Sequence, residues 1–400
     1  MVVGSSLAGI RACGGLRAEG YDGSITLIGA ESHEPYDRPP LSKKVLSGEW
    51  EPDRIALVRR DELDTLRLQQ RLGVGASSLS TQDRTVTLRD AMVVSYDAVV
   101  IATGAATRRL PDQLEHESIF ELRTLDDALA LRSRILPGGL RITVIGAGFI
   151  GLEVAATARL LGNDVVVLEG ASAPLVRGLG SEMGVAVTAL HADHGVPVRC
   201  GVQVLGIAVS GDSLVVHLGD GDTVVSDVIV VGIGVSPATE WLRGSGLSLR
   251  DGVVCDASLN AGVPGVYAAG DVARWPNPQF DGEEMRVEHW TNASEQGLMV
   301  AKNILATARG DRAEPYSAVP FFWSEQYGTR LQFIGRAAGD DEVRIVKGSV
   351  AERSFLALYG SNGSLRGALG MAMPKPLMQC RRLLLDRVSF ADAINIASAL

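Results

Sequence analysis

The chain has 400 residues, more than one ordinary hydrophobic core holds, so two or three domains are expected. Hydrophobic residues at 46% and charged residues at 21% make an ordinary globular mix. A net charge of −9 argues against nucleic acid as a main partner, because phosphate binding needs a basic surface.

Taken in chain order, "MVVGSSLAGIRACGGLRAEGYDGSITLIGAE" reads strand, Gly-rich turn, helix, strand, with only Met1 to Val3 as the first strand. "YDRPPLSKKVLSG" follows; Pro39 and Pro40 predict an extended, rigid segment that delivers Lys43 and Lys44. On these residues alone it is a surface turn with solvated lysines. "YDAVVIATGA" (96–105) is a strand ending in Ala-Thr-Gly, and "LRITVIGAGFIGLEVAATARLLGNDVVVLEG" repeats the opening plan from residue 140. "DVIVVGIG" and "VPGVYAAGDVARW" (263–275) add strands, the second ending in Gly-Asp. A βαβ unit that occurs twice implies two parallel-sheet domains, and the continuous apolar runs fit strands covered on both faces. Beyond residue 315 the pattern alternates, with a hairpin signal at Asn362-Gly363, and the chain ends in one or two helices. That part reads as α+β.

Four cysteines (Cys13, Cys200, Cys255 and Cys380) lie far apart without C-x-x-C, which excludes a local dithiol motif and a cysteine-rich zinc site. They read as buried or incidental thiols of a reducing compartment. The six histidines lack metal-ligand spacing, and His191 and His194 in "LHADHG" read as a helix end; no metal is expected. No apolar run approaches the ~20 residues that span a bilayer. No signal peptide is visible either. A cytoplasmic protein without a membrane partner is expected.

The second βαβ unit carries G-x-G-x-x-G at Gly146, Gly148 and Gly151, between a strand and a helix, with Glu169 ending the next strand. The glycines serve the turn, the approach of a pyrophosphate and close helix–strand packing, and the helix N-terminus favours phosphate. A carboxylate at Glu169 accepts from a free ribose 2′-OH and repels a 2′-phosphate, so NADH is read over NADPH. The first unit has Gly4 and Gly9, but Ser6 takes the middle place, where its β-carbon adds little bulk. Ala12 is the small packing residue, and Glu31 is the ribose acid. Beside the second copy it reads as a second dinucleotide site, for FAD. Asp271, just past a strand end, can bind ribityl hydroxyls; otherwise it caps a helix or turn.

Together these features resemble the glutathione-reductase-like flavoproteins. Within them, "PYDRPPLSK", "GAGFIGLEVAATA", "VGIGVSPATEWL", "VEHWTNASEQG" and "FFWSEQYG" resemble the NADH-dependent ferredoxin reductases of bacterial cytochrome P450 and ring-hydroxylating dioxygenase systems. The likeness runs over nearly the whole chain and departs from the family pattern at Ser6. It implies an α/β fold of two Rossmann-like domains plus a C-terminal α+β interface domain. The implied boundaries are 1–107 and 243–315 for FAD, 108–242 for NADH and 316–400 for the interface. It implies FAD contacts at Ala8, Arg38, Lys43, Ala76, Thr103, Gly104, Arg123, Asp271, Trp290 and Trp323, beside Gly4, Ser6, Gly9 and Glu31. For NADH it implies Ile150, Arg177 and Gly234, beside the three glycines and Glu169.

The resemblance also puts Lys43 beside the flavin, paired with Glu153, where an ammonium near N5 stabilises negative charge as hydride arrives. Lys44 keeps the solvated reading. Asn292 and Glu295 are spaced as a capping box for the helix whose N-terminus would face the reduced ring. Trp290 and Trp323 are candidates to shield it. The implied partner is a small, acidic [2Fe–2S] ferredoxin, serving a P450 or dioxygenase. It would dock on local cations such as Arg330, Lys375, Arg381 and Arg382. Where disulfide reductases of this fold carry a redox cysteine pair, this chain has Leu41, Ser42 and Lys43. A rubredoxin reductase or a monodehydroascorbate-reductase-like enzyme is the alternative of the same class. A redox-signalling flavoprotein like the apoptosis-inducing factor is the alternative of a different class.

Overall fold

The computed structural model describes the whole chain, Met1–Leu400, except for the side chain of Arg177. It divides into two compact units. The first holds Met1–Asp37, Asp53–Ala106 and Ser236–Pro320; the second holds Arg38–Pro52, Thr107–Val235 and Phe321–Leu400.

The first unit is built on a five-stranded parallel sheet, ordered Val266–Ala268, Val99–Ile101, Val2–Val3, Ile25–Ile28, Leu68–Arg71. The two-residue strand suffices because it is paired on both sides, Val2 lying opposite Leu27 and Val100. Val99–Ile101 is buried throughout, as the unbroken apolar run predicts for a doubly covered parallel strand. The helix Leu7–Ala18 packs along the 20-residue helix Trp290–Arg309. Two small three-stranded sheets, the first antiparallel and the second mixed, complete the unit. One is Ala76–Ser80, Thr85–Leu88 and Val93–Ser95; the other is Val253–Val254, Ala273–Asn277 and Glu283–Arg286.

The second unit repeats the parallel plan in the order Val198–Cys200, Asp164–Glu169, Arg141–Ile145, Val228–Val231, Ile119–Phe120. An antiparallel meander, Val204–Ser210, Ser213–Leu218 and Thr223–Ser226, hangs from it. The unit also contains a five-stranded antiparallel sheet, ordered Phe321–Gln326, Thr329–Gly335, Ser364–Met371, Ser354–Ser361, Glu342–Ser349. The turn at Asn362-Gly363 has φ of 50° and 76°, which is the double left-handed geometry that Asn-Gly favours in tight hairpins. Helices Pro374–Leu385 and Phe390–Ser398 close the chain.

Two local expectations are corrected. The paired prolines predicted an extended segment; instead Pro40 is helical (φ −71°, ψ −17°) and opens a single π-type turn, Leu41–Val45. A proline's fixed φ suits the first turn of a helix as well as a strand, and its missing N–H is not needed there. The helix at "HWTNASEQG" starts at Trp290, with His289 as N-cap and no capping side chain. Asn292 and Glu295 are already inside it. The Asn292 amide donates to the Val287 carbonyl at 3.0 Å, and the Tyr316 hydroxyl donates to Glu295 Oε2 at 3.0 Å. A true capping box stands elsewhere, at Thr124 and Asp127 before the helix Leu125–Ile135.

Candidate active site

The two Gly-rich turns are built alike. Gly4 has φ of +115° and Gly146 of +105°, conformations that other residues rarely adopt. A β-carbon on Gly4 would stand 2.1 Å from the Ala102 carbonyl oxygen, and one on Gly146 2.4 Å from that of Gly232. On Gly9 it would stand 1.8 Å from the Gly4 oxygen, and on Gly151 2.2 Å from the Gly146 oxygen. These four glycines serve the protein's own packing. The middle position differs. Ser6 (φ −87°, ψ −163°) and Gly148 (φ −77°, ψ 175°) are both extended N-caps, a geometry any residue adopts. A β-carbon on Gly148 would meet nothing nearer than 3.9 Å. Its bareness serves neither backbone nor core, and it leaves the amides of the helix Phe149–Leu160 open to an approaching anion. Ser6 therefore costs the first turn nothing in backbone strain.

Glu169 stands at the second turn, its carboxylate accepting from the Ala147 N–H at 2.6 Å and the Ala171 N–H at 2.8 Å. Ile150, at the mouth of the same helix, is 39% exposed. Gly234 has φ of +104° with open space where a side chain would be, and its carbonyl accepts from Arg108 N–H at 2.9 Å. These residues fit a pyridine dinucleotide. The Arg177 side chain lies outside the described residues.

In the first unit, Glu31 lies three residues past the strand Ile25–Ile28 and accepts from the Tyr36 hydroxyl. Asp271 follows the strand Val266–Ala268 by three residues. Beside it, Gly270, Ala8 and Gln296 converge. A β-carbon on Gly270 would lie 3.0 Å from that of Ala8, and Gly270 N–H donates to Gln296 Oε1 at 2.8 Å. Gln296 is fully buried, and its Nε2 is a donor without a partner among the described residues. Two helix N-termini, a carboxylate and an orphaned buried donor fit a large anionic, polar cofactor. His289, half-buried at the start of the second of these helices, has its pKa pushed down to about 4 by desolvation, with the Asp271 charge opposing. Thr103 donates to the Ala238 carbonyl at 2.9 Å, Gly104 has φ of +66°, and Ala76 begins a strand. Trp290 Nε1 donates to Asp37 at 2.7 Å.

In the second unit, Arg38 donates to the Arg123 carbonyl, so these two predicted residues are together. Trp323 stacks on Phe321, with ring centroids 6.0 Å apart. Lys43 meets Glu153. Its ammonium donates to Glu153 Oε2 at 2.7 Å, with side chains only 18% and 6% exposed. The same oxygen accepts from Ser42 Oγ at 2.5 Å, and Oε1 accepts from Ser324 Oγ at 2.7 Å. Three donors satisfy an ionised carboxylate, as a buried charge requires. Thr157, one helical turn after Glu153, donates to the Ser42 carbonyl at 2.8 Å. One helix face thus grips the Leu41–Val45 turn at two points. Lys44 pairs with Glu49 at 2.5 Å on an exposed surface.

Residues 1–297 match the family described as pyridine nucleotide-disulphide oxidoreductase. The chain belongs to that family. Residues 321–398 of this oxidoreductase match the reductase C-terminal family. It is 36% identical to rhodocoxin reductase of Rhodococcus erythropolis, over 96% of this chain and 88% of the relative. It is 35% identical to the ferredoxin–NAD(+) reductase subunit of a benzene 1,2-dioxygenase system of Pseudomonas putida, over 98% of this chain and 95% of the relative. The solved putidaredoxin reductase–putidaredoxin complex contains a chain that superposes with a TM-score of 0.91 at 30% identity, covering 100% of this chain and 98% of the other. The resemblance drawn from the motifs, and the α/β fold it implied, are borne out.

Several neighbours of the candidate residues went unread in the sequence. Thr157 had a usable signal, its i+4 spacing from Glu153. Ser324 had a weaker one: it alternates with Phe322 and Gln326 in "FFWSEQYG", which puts all three on one strand face. Gln296 had none. Among the described residues, no group of three or more His, Cys, Asp or Glu could hold a metal ion. No helix among the described residues is long and apolar enough to cross a membrane.

Proposed function

We propose that this chain is an NADH-dependent, FAD-containing ferredoxin reductase, handing electrons to a small iron–sulfur protein of an oxygenase system. The observation that carries it is the buried Lys43–Glu153 pair, where thiol reductases of this fold carry cysteines. The four cysteines are free and three are buried; burial raises the thiol pKa of Cys13 and Cys255 to about 12 and of Cys380 to about 11. Inert thiols of this kind fit a reducing compartment, and the cytoplasm is part of the proposal.

When bound, FAD supplies the exchange between a two-electron hydride donor and a one-electron acceptor. The residues proposed to hold it are Gly4, Ser6, Ala8, Gly9, Glu31 and Asp271, with Gln296 Nε2 as a further donor. Gly148 and the amides following it take the NADH pyrophosphate. Glu169 takes the adenine ribose and disfavours a 2′-phosphate. Lys43 is proposed to present its ammonium to the charge that arrives with hydride, and Glu153 makes that ammonium affordable in a dry site. The Leu41–Val45 turn, gripped by Glu153 and Thr157, keeps Lys43 in one place. The split FAD part (1–107, 243–315), the NADH part (108–242) and the interface part (316–400) belong to the same proposal.

The test is direct. Purified protein should carry about one FAD per chain and bleach anaerobically with NADH. It should reduce cytochrome c only when a [2Fe–2S] ferredoxin is added. NADPH should serve at least about tenfold less well in kcat/KM, given like charges near Glu169. A colourless protein, or equal use of NADPH, defeats the reading.

A further inference from the structure

The Lys43–Glu153 pair is one end of a longer hydrogen-bonded chain. The strand Phe321–Gln326 turns one face, Phe322, Ser324 and Gln326, toward two helices. Phe322 packs on Phe149 at 4.7 Å between centroids, and Ser324 bonds Glu153 at 2.7 Å. Phe149 and Glu153 are one turn apart on their helix, a rise of about 6 Å. Phe322 and Ser324 are two residues apart on the strand, a rise of about 6.5 Å. The two elements are in register. The next residue on that strand face, Gln326, reaches the helix Val176–Asp193. Its Nε2 donates to Ser324 Oγ at 3.1 Å, and its Oε1 lies 2.9 Å from His191 Nε2. His191 Nδ1 lies 3.1 Å from the Tyr327 hydroxyl. Ser324 and His191 are fully buried, and Gln326 nearly so.

The chemistry allows these bonds one consistent direction. Glu153 only accepts. Ser324 has one proton, and it goes to Glu153, so Ser324 must accept from the Gln326 amide. Gln326 then presents its carbonyl to His191, so His191 carries its hydrogen on Nε2 and accepts at Nδ1 from Tyr327. Reversing Gln326 would take the Ser324 proton and turn a lone pair toward the carboxylate. The Glu153 charge therefore orders every link as far as Tyr327.

We propose that Ser324, Gln326 and His191 are positioning residues for Lys43: the chain fixes the direction of the Glu153 carboxylate and thereby the place of the ammonium. This rests on the reading of the protein as a flavin reductase. A neutral His191 is what the chain requires, and burial lowers its pKa to about 4. The titratable and charged groups at that end are His194, stacked on Tyr327 at 3.8 Å, Tyr327 itself, and Arg159, which donates to the His194 carbonyl. Each of them favours the neutral ring or leaves it unchanged.

The experiment uses the FAD-loaded enzyme and single-turnover flavin reduction at varied NADH. Ser324→Ala and Gln326→Leu should lower the limiting rate about threefold to tenfold, the effect of one net hydrogen bond. The apparent NADH dissociation constant should stay unchanged. His191→Leu should act likewise, while His191→Gln, which keeps an N–H for Gln326, should restore most of the rate. In a Lys43→Met background the same changes should cost nothing more, because they act through Lys43. A structural role would slow both backgrounds alike, and that result overturns the proposal. So does a parent limiting rate in Ser324→Ala, the smallest change and the safest for folding. If the parent protein itself is not bleached by NADH, the flavin-reductase reading fails instead.

Discussion

At the scale of single residues, two adjacent lysines have opposite fates. Lys44 pairs with Glu49 with 41% and 55% of the side chains exposed, an arrangement worth little. Lys43 is inside, against a carboxylate with two further donors, and removing one partner of such a pair strands the other. Lys43→Met keeps the length of the side chain and deletes the charge. Flavin reduction by NADH, followed in anaerobic stopped flow, should slow about tenfold to a thousandfold, matching the ~1.4–4 kcal/mol of one preorganised electrostatic group. FAD should stay bound. The double change Lys43→Met with Glu153→Gln should cost less than the two singles together, since no unpaired carboxylate remains. Lys44→Met should reduce at the parent rate. If Lys43→Met does too, the lysine is scaffold.

At the scale of elements, the Gly-rich turns test what each glycine is for. Gly151→Ala would put a β-carbon 2.2 Å from a backbone oxygen that cannot step aside, so stability should fall, by about 1–3 kcal/mol for such overpacking. Gly148→Leu has room and an ordinary backbone geometry, so the fold should persist within the ~1 kcal/mol cost of a poorer N-cap. Its NADH affinity, read from the concentration dependence of flavin reduction, should drop at least about tenfold as the pyrophosphate is shut out. Gly148→Ser, which copies Ser6, should keep both. A Gly148→Leu protein with parent affinity would remove the phosphate from this turn. The buried helix residue His191 gives a second test, in pH. Its folded pKa, about 4, lies below the ordinary 6.5, so the unfolded chain binds a proton that the folded one refuses. The stability this neutral histidine contributes is complete above pH 6.5 and is lost as pH falls toward 4, about 3 kcal/mol in all. His191→Gln should flatten the fall of Tm between those values; an unchanged slope would place the proton uptake elsewhere. These elements also show what the sequence could reveal. Gly4, Gly9, Gly146 and Gly151 were legible because their steric demands admit no other residue. The turn at Leu41–Val45 was misread because proline's φ suits both strand and helix. The Asn292–Glu295 spacing misled because Val287 and Tyr316, remote in pattern, claim those side chains. The chain from Glu153 to His191 crosses 171 positions to reach Ser324 and 135 to return from Gln326 to His191, links that no local pattern displays.

At the scale of the whole molecule, the charge of −9 sets the problem of meeting an acidic partner. Charges beyond a Debye length, about 8 Å at physiological salt, are screened, so docking depends on local cations. Of the four cations expected to serve, two are spent within the protein. Arg330 lies 3.7 Å from Glu325, and Arg382 bonds Asp386 at 2.6 Å one helical turn away. Lys375 and Arg381 remain, both exposed on the helix Pro374–Leu385. Met378 and Leu385, 44% and 46% exposed, stand three or four residues from them and so share their face. A face of two cations and two apolar side chains suits a transient acidic partner, with charge speeding encounter and the apolar pair holding contact. Lys375→Glu with Arg381→Glu should slow association with the ferredoxin severalfold at low salt and flatten its salt dependence. NADH-to-ferricyanide turnover should be untouched, because the small acceptor needs no docking face. Arg382→Glu should do less, its charge being already offset by Asp386. If the parent's ferredoxin-coupled turnover is the same at low and at physiological salt, charge does not guide this encounter, and the apolar pair alone would have to account for it.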